Sequence, residues 1–171
     1  MKKLTGNKEL IYLLDDDQVF SYALELWLEL QGYRIKVFHN TYAFLNGLKL
    51  RKPDVVILDF ALNDNYQGIE NGAHVAARIN KQFDDVPVVM LSEQQDLQVA
   101  VDLFSKSIVD YVVKDDAFHE NLSKILIQLK EMRILRQEIK DLKVLSKTKL
   151  KRLFIVVGSA LLFWLLYAAF V

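Results

Sequence analysis

The chain has 171 residues, which is enough for one globular domain and an appendage. Its 22 basic and 22 acidic residues give a net charge of zero, so we expect no nucleic-acid partner. It has no cysteine, which excludes disulfides and thiol chemistry, and its 3 histidines lack the spacing of metal ligands.

Apolar runs and helical patterns alternate along the first two thirds of the chain. The runs typical of buried strands are 9–14, 33–38, 55–58, 88–91 and 111–113. Helical spacing predicts helices at 18–31, 41–50, 73–81 and 97–105, and a last long helix capped by Asp115 or Asp116. The segment 61–72 is rich in Asn, Asp and Gly and predicts a loop. This alternation predicts an α/β fold with a parallel sheet and helices on both faces.

Polar residues follow four of the predicted strands. The first strand runs into Asp15–Asp17, and three later strands run into Asp59, Ser92 and Lys114. Because the carboxyl ends of neighbouring parallel strands meet at one edge of a sheet, we expect these groups to lie together. Such a set suits a magnesium ion beside a phosphoryl group. Asp17 is better explained as the N-cap of the helix that follows.

The last predicted helix has no Gly or Pro from Asn121 to Arg152, and it carries a heptad pattern. Positions a hold Ile125, Met132 and Ile139, positions d hold Leu135 and Leu142, and the flanking g and e positions hold Glu131, Glu138, Arg136 and Lys143. Two interpretations stay open. The pattern is typical of a parallel coiled coil that would join two copies in a homodimer. It also fits a single amphipathic stalk whose stripe covers the domain.

The segment 153–171 reads LFIVVGSALLFWLLYAAFV and contains no charged residue. As a helix it would be about 28 Å long, close to the roughly 30 Å of a bilayer's hydrocarbon core. The sequence therefore predicts a transmembrane helix in a lipid bilayer, in preference to a buried core helix. The basic run KTKLKR before it predicts a C-terminal tail anchor, with the folded domain facing the cytoplasm.

Four motifs, IYLLDDDQVF, PDVVILDF, VPVVMLS and VDYVVK, stand in an order and spacing that resemble the receiver domain of two-component response regulators. The resemblance covers about residues 8–130, which leaves 131–152 as the stalk and 153–171 as the membrane helix. It implies a flavodoxin-like (βα)5 fold with strand order 2-1-3-4-5. It also implies a signalling domain rather than an enzyme, with only self-phosphorylation and self-dephosphorylation chemistry.

The resemblance also implies roles for individual residues. Asp59 matches the phosphoacceptor. The Mg²⁺ ligands would be Asp15, Asp16, Asp59 and the backbone carbonyl of Ala61. Ser92, Lys114 and Tyr111 match the residues that bind the phosphoryl group or respond to it. The resemblance therefore predicts a membrane-tethered, single-domain response regulator that receives a phosphoryl group from a histidine kinase or phosphotransfer protein.

Some residues depart from the family pattern. Glu93 follows Ser92 where a small residue is common, and Asp115 stands where proline is common, so we expect no cis peptide bond there. The loop after Asp59 is longer than usual. These departures favour a second hypothesis, a receiver-like scaffold or adaptor at the membrane that signals by binding alone.

Overall fold

The computed structural model describes residues 8–62, 71–83, 85–93 and 110–170, apart from the side chains at 150, 153, 156 and 160–170. The strands are β1 (Leu10–Leu14), β2 (Arg34–Phe38), β3 (Val55–Asp59), β4 (Val88–Ser92) and β5 (Asp110–Val113). The helices are α1 (Gln18–Leu30), α2 (Thr41–Leu50), α3 (Gly72–Gln82) and α4 (Phe118–Phe170). The predicted helix at 97–105 and most of the predicted loop at 61–72 lie outside the described residues.

The five strands form one parallel sheet in the order β2-β1-β3-β4-β5, which confirms the predicted flavodoxin-like fold. Every residue of β1, β3 and β4 is buried. Such continuous burial is expected for central parallel strands that are covered on both faces. The strand order reverses between β1 and β3, and a crevice for ligands forms at such a point, beyond the carboxyl ends of the strands.

Local sequence signals set the starts and ends of the helices. Side-chain oxygens of Asp17, Asn40 and Asn71 accept hydrogen bonds from backbone N–H groups in the first turns of α1, α2 and α3. The prediction that Asp17 is an N-cap is therefore confirmed. Just beyond α1, Gly32 has φ of 91°, a conformation that favours glycine and turns the chain toward β2.

The core has two layers, one on each face of the sheet. On one face, α2 and α3 pack over alternate strand residues, and the rings of Tyr12 and Phe38 lie 5.0 Å apart beside Phe44. On the other face, the ring of Phe20 in α1 meets the ring of Phe118 in the first turn of α4 at 5.6 Å. The second layer therefore joins α1, near the start of the domain, to the first turn of α4, near its end.

The long helix begins after a short turn. Its first regular residue is Phe118. In the turn that leads into it, the Asp115 carboxylate accepts a hydrogen bond of 2.9 Å from the Ala117 N–H group, and the Asp115 carbonyl accepts one of 3.0 Å from the Phe118 N–H group. Asp115 therefore caps this turn, as predicted. No cis peptide bond occurs in the described part of the chain, as expected.

The residues Leu126–Val171 form a second compact unit, and the helix continues through the predicted stalk to Phe170. The predicted heptad residue Ile125 is buried, so it is not free to join a seam, whereas Met132, Leu135, Ile139 and Leu142 are 40%, 57%, 51% and 65% exposed. No helix in the described ranges has the length and apolarity of a membrane span. Most side chains of the predicted span 153–171 lie outside those ranges, and the structure gives the predicted transmembrane helix no support.

Candidate functional site

Three carboxylates converge at the carboxyl edge of the sheet. Asp15 and Asp16 follow β1, and Asp59 is the last residue of the neighbouring strand β3. Each carboxylate offers an oxygen that lies within 4.8 Å of the other two. The three acidic residues that the sequence singled out are therefore brought together.

Asp15 is held by its own backbone and by the neighbouring strand. Its N–H group donates to the Phe38 carbonyl at 3.1 Å, and its Oδ1 accepts from the Asp17 N–H group at 2.8 Å. Its carbonyl oxygen lies 3.0 Å from Nδ1 of His39, so this ring nitrogen is the one that carries the proton. The sequence analysis considered the histidines only as metal ligands and missed this contact of His39. The signal available was its place directly after β2, the neighbour of β1.

Asp59 is fixed by a close approach of α3. Its Oδ2 accepts a hydrogen bond of 2.8 Å from the Ala61 N–H group. A Cβ atom at Gly72 would lie 2.1 Å from the Asp59 carbonyl oxygen, so any side chain there would displace the strand end. The Gly72 N–H group also donates to the Phe60 carbonyl at 3.0 Å. Glycine at the start of α3 therefore lets the helix support the strand end that carries Asp59.

Lys114 bridges two of the carboxylates. Its Nζ lies 2.7 Å from Oδ1 of Asp59 and 3.2 Å from Oδ2 of Asp15, and its side chain is 13% exposed. Its backbone N–H group donates to the Ser92 carbonyl at 2.8 Å, so the ends of β4 and β5 aim the lysine at the site. The ammonium also lies 4.0 Å from the centre of the Phe20 ring. The sequence interpretation did not single out Phe20.

Burial and charge shift the acid–base behaviour of the site. Burial raises the pKa of Asp15 above its usual range, and the charge of Asp59 adds to this, while Lys114 works against it. Burial alone would lower the pKa of Lys114, but its hydrogen bond to Asp59 and the charge of Asp15 outweigh burial and raise it. One ammonium cannot neutralise three carboxylates, so the site retains excess negative charge. Hard oxygen donors with excess negative charge fit a divalent cation such as Mg²⁺.

The remaining predicted residues border the acidic cluster or lie behind it. Ser92 is the buried last residue of β4 and pairs in register with Val113. Tyr111 pairs with Met90 and is partly buried against the core cluster. Glu93, which departs from the family pattern, is exposed. Ser92 therefore lies at the same sheet edge as Lys114, whereas Tyr111 packs toward the interior.

Comparison with known proteins matches this architecture. The family model described as the response regulator receiver domain matches residues 11–126. The chain is 35% identical over 105 residues to the transcriptional regulatory protein AfsQ1 of Streptomyces coelicolor, which covers 61% of this chain and 44% of that protein. It is 25% identical over 115 residues to the DNA-binding transcriptional regulator NtrC of Proteus hauseri, covering 67% of this chain and 23% of that protein. The chain therefore spans less than half the length of these curated relatives.

A solved structure gives a similar result. The response regulator protein TrrA of Thermotoga maritima, crystallised in complex with Mg²⁺ and BeF, aligns with a TM-score of 0.61 and 27% identity. The alignment covers 71% of this chain and 98% of that one.

We expect Mg²⁺ affinity to fall on acidification, starting at a higher pH than an ordinary aspartate would give. The reason is that the raised pKa of Asp15 lets a proton compete with the cation sooner. Mg²⁺ titrations followed by calorimetry, from neutral pH to about pH 4.5, measure this. Asp17→Asn is a matched control, because that carboxylate caps α1 and asparagine also caps helices. An unchanged affinity across this range would contradict the assignment of Asp15.

The Asp15→Asn variant tests the raised pKa of Asp15 and its role in Mg²⁺ binding in a second way. Since the folded pKa of Asp15 is raised, its ionisation lowers stability as pH rises through that pKa, and the neutral amide removes this loss. We expect the variant to lose Mg²⁺ binding and, without metal at neutral pH, to be more stable to unfolding than the wild type. Denaturant unfolding with and without Mg²⁺ measures both effects.

Proposed function

Because the chain belongs to the response regulator receiver domain family, we propose that it accepts a phosphoryl group on Asp59 from a histidine kinase or phosphotransfer protein. The observation that carries this proposal is the position of Lys114, whose ammonium lies 2.7 Å from Asp59 beside two further carboxylates. The domain would act as a signalling element, and its only covalent chemistry would be gain and loss of its own phosphoryl group.

The residues that would hold Mg²⁺ are Asp15, Asp16, Asp59 and the backbone carbonyl of Ala61. The clustering of the three carboxylate oxygens supports this set, as does the similar TrrA, whose structure contains Mg²⁺ and BeF. When bound, the cation supplies positive charge for the oxygens of the transferred phosphoryl group.

The side chains of the protein would carry out the other steps of phosphoryl transfer. A carboxylate oxygen of Asp59 attacks phosphorus, the bond from phosphorus to the donor atom breaks, and the donor leaves with that electron pair. The ammonium of Lys114 offers a point charge to a phosphoryl oxygen, since it already lies against the acceptor. The hydroxyl of Ser92 would donate a hydrogen bond to the same group, and Tyr111 would reorient when Ser92 moves.

Helix α1 presents a surface for the phosphodonor. Val19, Tyr22, Leu26 and Leu30 recur at helical spacing and are 82%, 61%, 45% and 85% exposed. The helix begins two residues after Asp16, so this apolar stripe starts beside the acidic cluster. A partner helix packed on the stripe would therefore have its reactive histidine close to Asp59.

We expect Asp59→Asn to abolish labelling by acetyl phosphate in the presence of Mg²⁺, because the amide cannot form the acyl phosphate. Phos-tag electrophoresis or mass spectrometry of the intact protein measures the label. Asp54→Asn is a control carboxylate outside the cluster, where its Oδ2 accepts from the Leu10 N–H group. Full labelling of Asp59→Asn would refute the acceptor assignment.

A receiver-like scaffold or adaptor that signals by binding alone is the alternative function. Glu93, exposed directly after the buried Ser92, is the observation that favours it, since a carboxylate there would repel an incoming phosphodonor. Absence of both Mg²⁺ binding and labelling in the wild-type chain would select this alternative.

We propose that the segment 153–171 tethers the domain to a bilayer, with the domain on the cytoplasmic side. The uncharged segment and the basic run before it support this proposal. We expect the full chain to sediment with membranes, to resist extraction by alkaline carbonate and to be released by detergent. A variant truncated after Arg152 is the matched control, because it keeps the basic run. Recovery of the full chain in the soluble fraction without detergent would remove the tether.

We also propose that two copies pair in parallel through the stalk. The exposed stripe of Met132, Leu135, Ile139 and Leu142 supports this, because uncovered apolar side chains at heptad spacing form a coiled-coil seam. Glu131 and Glu138 at g positions would face Arg136 and Lys143 at e positions of the partner copy.

We expect a double variant, Leu135→Asp with Leu142→Asp, to convert the dimer to a monomer. Two buried carboxylates in the seam would cost several kcal/mol unless paired. Analytical ultracentrifugation in detergent measures the mass. Ile134→Asp is a control, because it lies on the same helix and is 43% exposed but falls outside the seam. A wild-type chain that sediments as a monomer would contradict the pairing.

A further inference from the structure

The Lys114 ammonium has a third neighbour besides its two carboxylates. Its Nζ lies 4.0 Å from the centre of the Phe20 ring, within the range of a cation–π contact. Phe20 is the third residue of α1, and its N–H group donates to Oδ1 of Asp17 at 3.0 Å. The capping turn that begins immediately after Asp15 and Asp16 therefore also sets the position of the ring.

The Phe20 ring also contacts a second aromatic ring. It contacts the ring of Phe118 edge-on at 5.6 Å, and Phe118 is 3% exposed in the first turn of α4. Phe118 is itself tied to the lysine's own turn, since its N–H group donates to the Asp115 carbonyl at 3.0 Å. The ring therefore lies between the turn that follows β1 and the turn that follows β5.

From this geometry we propose that Phe20 is a positioning residue, whose ring holds the Lys114 ammonium in place while its carboxylate partners change. The inference rests on the proposed phosphoryl transfer to Asp59. During transfer, the Asp59 carboxylate becomes an acyl phosphate, whose acyl carbonyl is uncharged and whose phosphoryl oxygens are anionic. A bound cation would also compete with Lys114 for Asp15. Neither event alters the ring. The ring is thus the contact that persists while the ammonium passes from a carboxylate oxygen to a phosphoryl oxygen.

Phe20→Leu tests the proposal, because leucine keeps an apolar side chain in α1 and removes the negative face of the ring. We expect labelling by acetyl phosphate at saturating Mg²⁺ to slow roughly five- to tenfold, with little change in Mg²⁺ affinity. Phe20→Met, a second nonaromatic variant, should behave alike. Phe20→Tyr retains the ring face and should keep a rate within about twofold of wild type.

A measurement on the metal-free protein gives an independent result. A methylene group beside an aromatic face has an upfield-shifted proton resonance, so the Lys114 side chain should show this shift in wild type and Phe20→Tyr. Phe20→Leu and Phe20→Met should lose it. Phe44→Leu is the control for loss of a buried aromatic ring, since Phe44 packs with Tyr12 and Phe38 in the core cluster. It should keep both the shift and the labelling rate.

The outcomes separate the two proposals. A wild-type rate in Phe20→Leu, or a rate in Phe20→Tyr as low as in Phe20→Leu, overturns the positioning role. If the wild-type chain takes no label at all, the proposed function fails. The shift of the Lys114 resonances then still decides whether Phe20 places the ammonium.

Discussion

The balance between one partly buried ammonium and three clustered carboxylates is the constraint on which the rest of the site depends. Lys114 contacts Asp59 and Asp15, and Asp16 lies within reach of the same point. Burial makes an uncompensated negative charge costly, so the cluster favours protonation or the binding of a cation. The raised pKa of Asp15 follows from this cost.

Backbone contacts from neighbouring strands and from α3 hold that cluster together. The Phe38 carbonyl fixes Asp15 from β2, and the close approach of Gly72 in α3 supports Asp59 in β3. The hydrogen bond from Lys114 to Ser92 joins β5 to β4 at the same edge. All five strands or their following residues therefore contribute to one small region, and this arrangement preorganises the charges before any ligand arrives.

Sequence reasoning identified the fold and the residues at the strand ends because these depend on local patterns. Short apolar runs located β1 and β3, and the polar residue after each run located Asp15 and Asp59. The contacts of His39, Phe20 and Gly72 escaped because they arise between segments distant in sequence. Glycine at position 72 is required by a carbonyl oxygen 13 residues earlier, which no local pattern encodes. The partner of the exposed heptad stripe likewise depends on a second molecule, so pairing stays a prediction.

The anchoring of Asp15 by β2 links the site to the outermost strand on that side of the sheet. Outer strands lack a neighbour on one side and are the first to fray, and here the exposed side chains of Arg34 and Lys36 discourage another chain from annealing to that border. Local unfolding of β2 would loosen Asp15, which would hold the cation. Because binding and local unfolding are linked equilibria, a cation bound at the acidic cluster should in turn reduce the local opening of β2. The cation-bound protein would then also resist unwanted pairing of β2 with another chain.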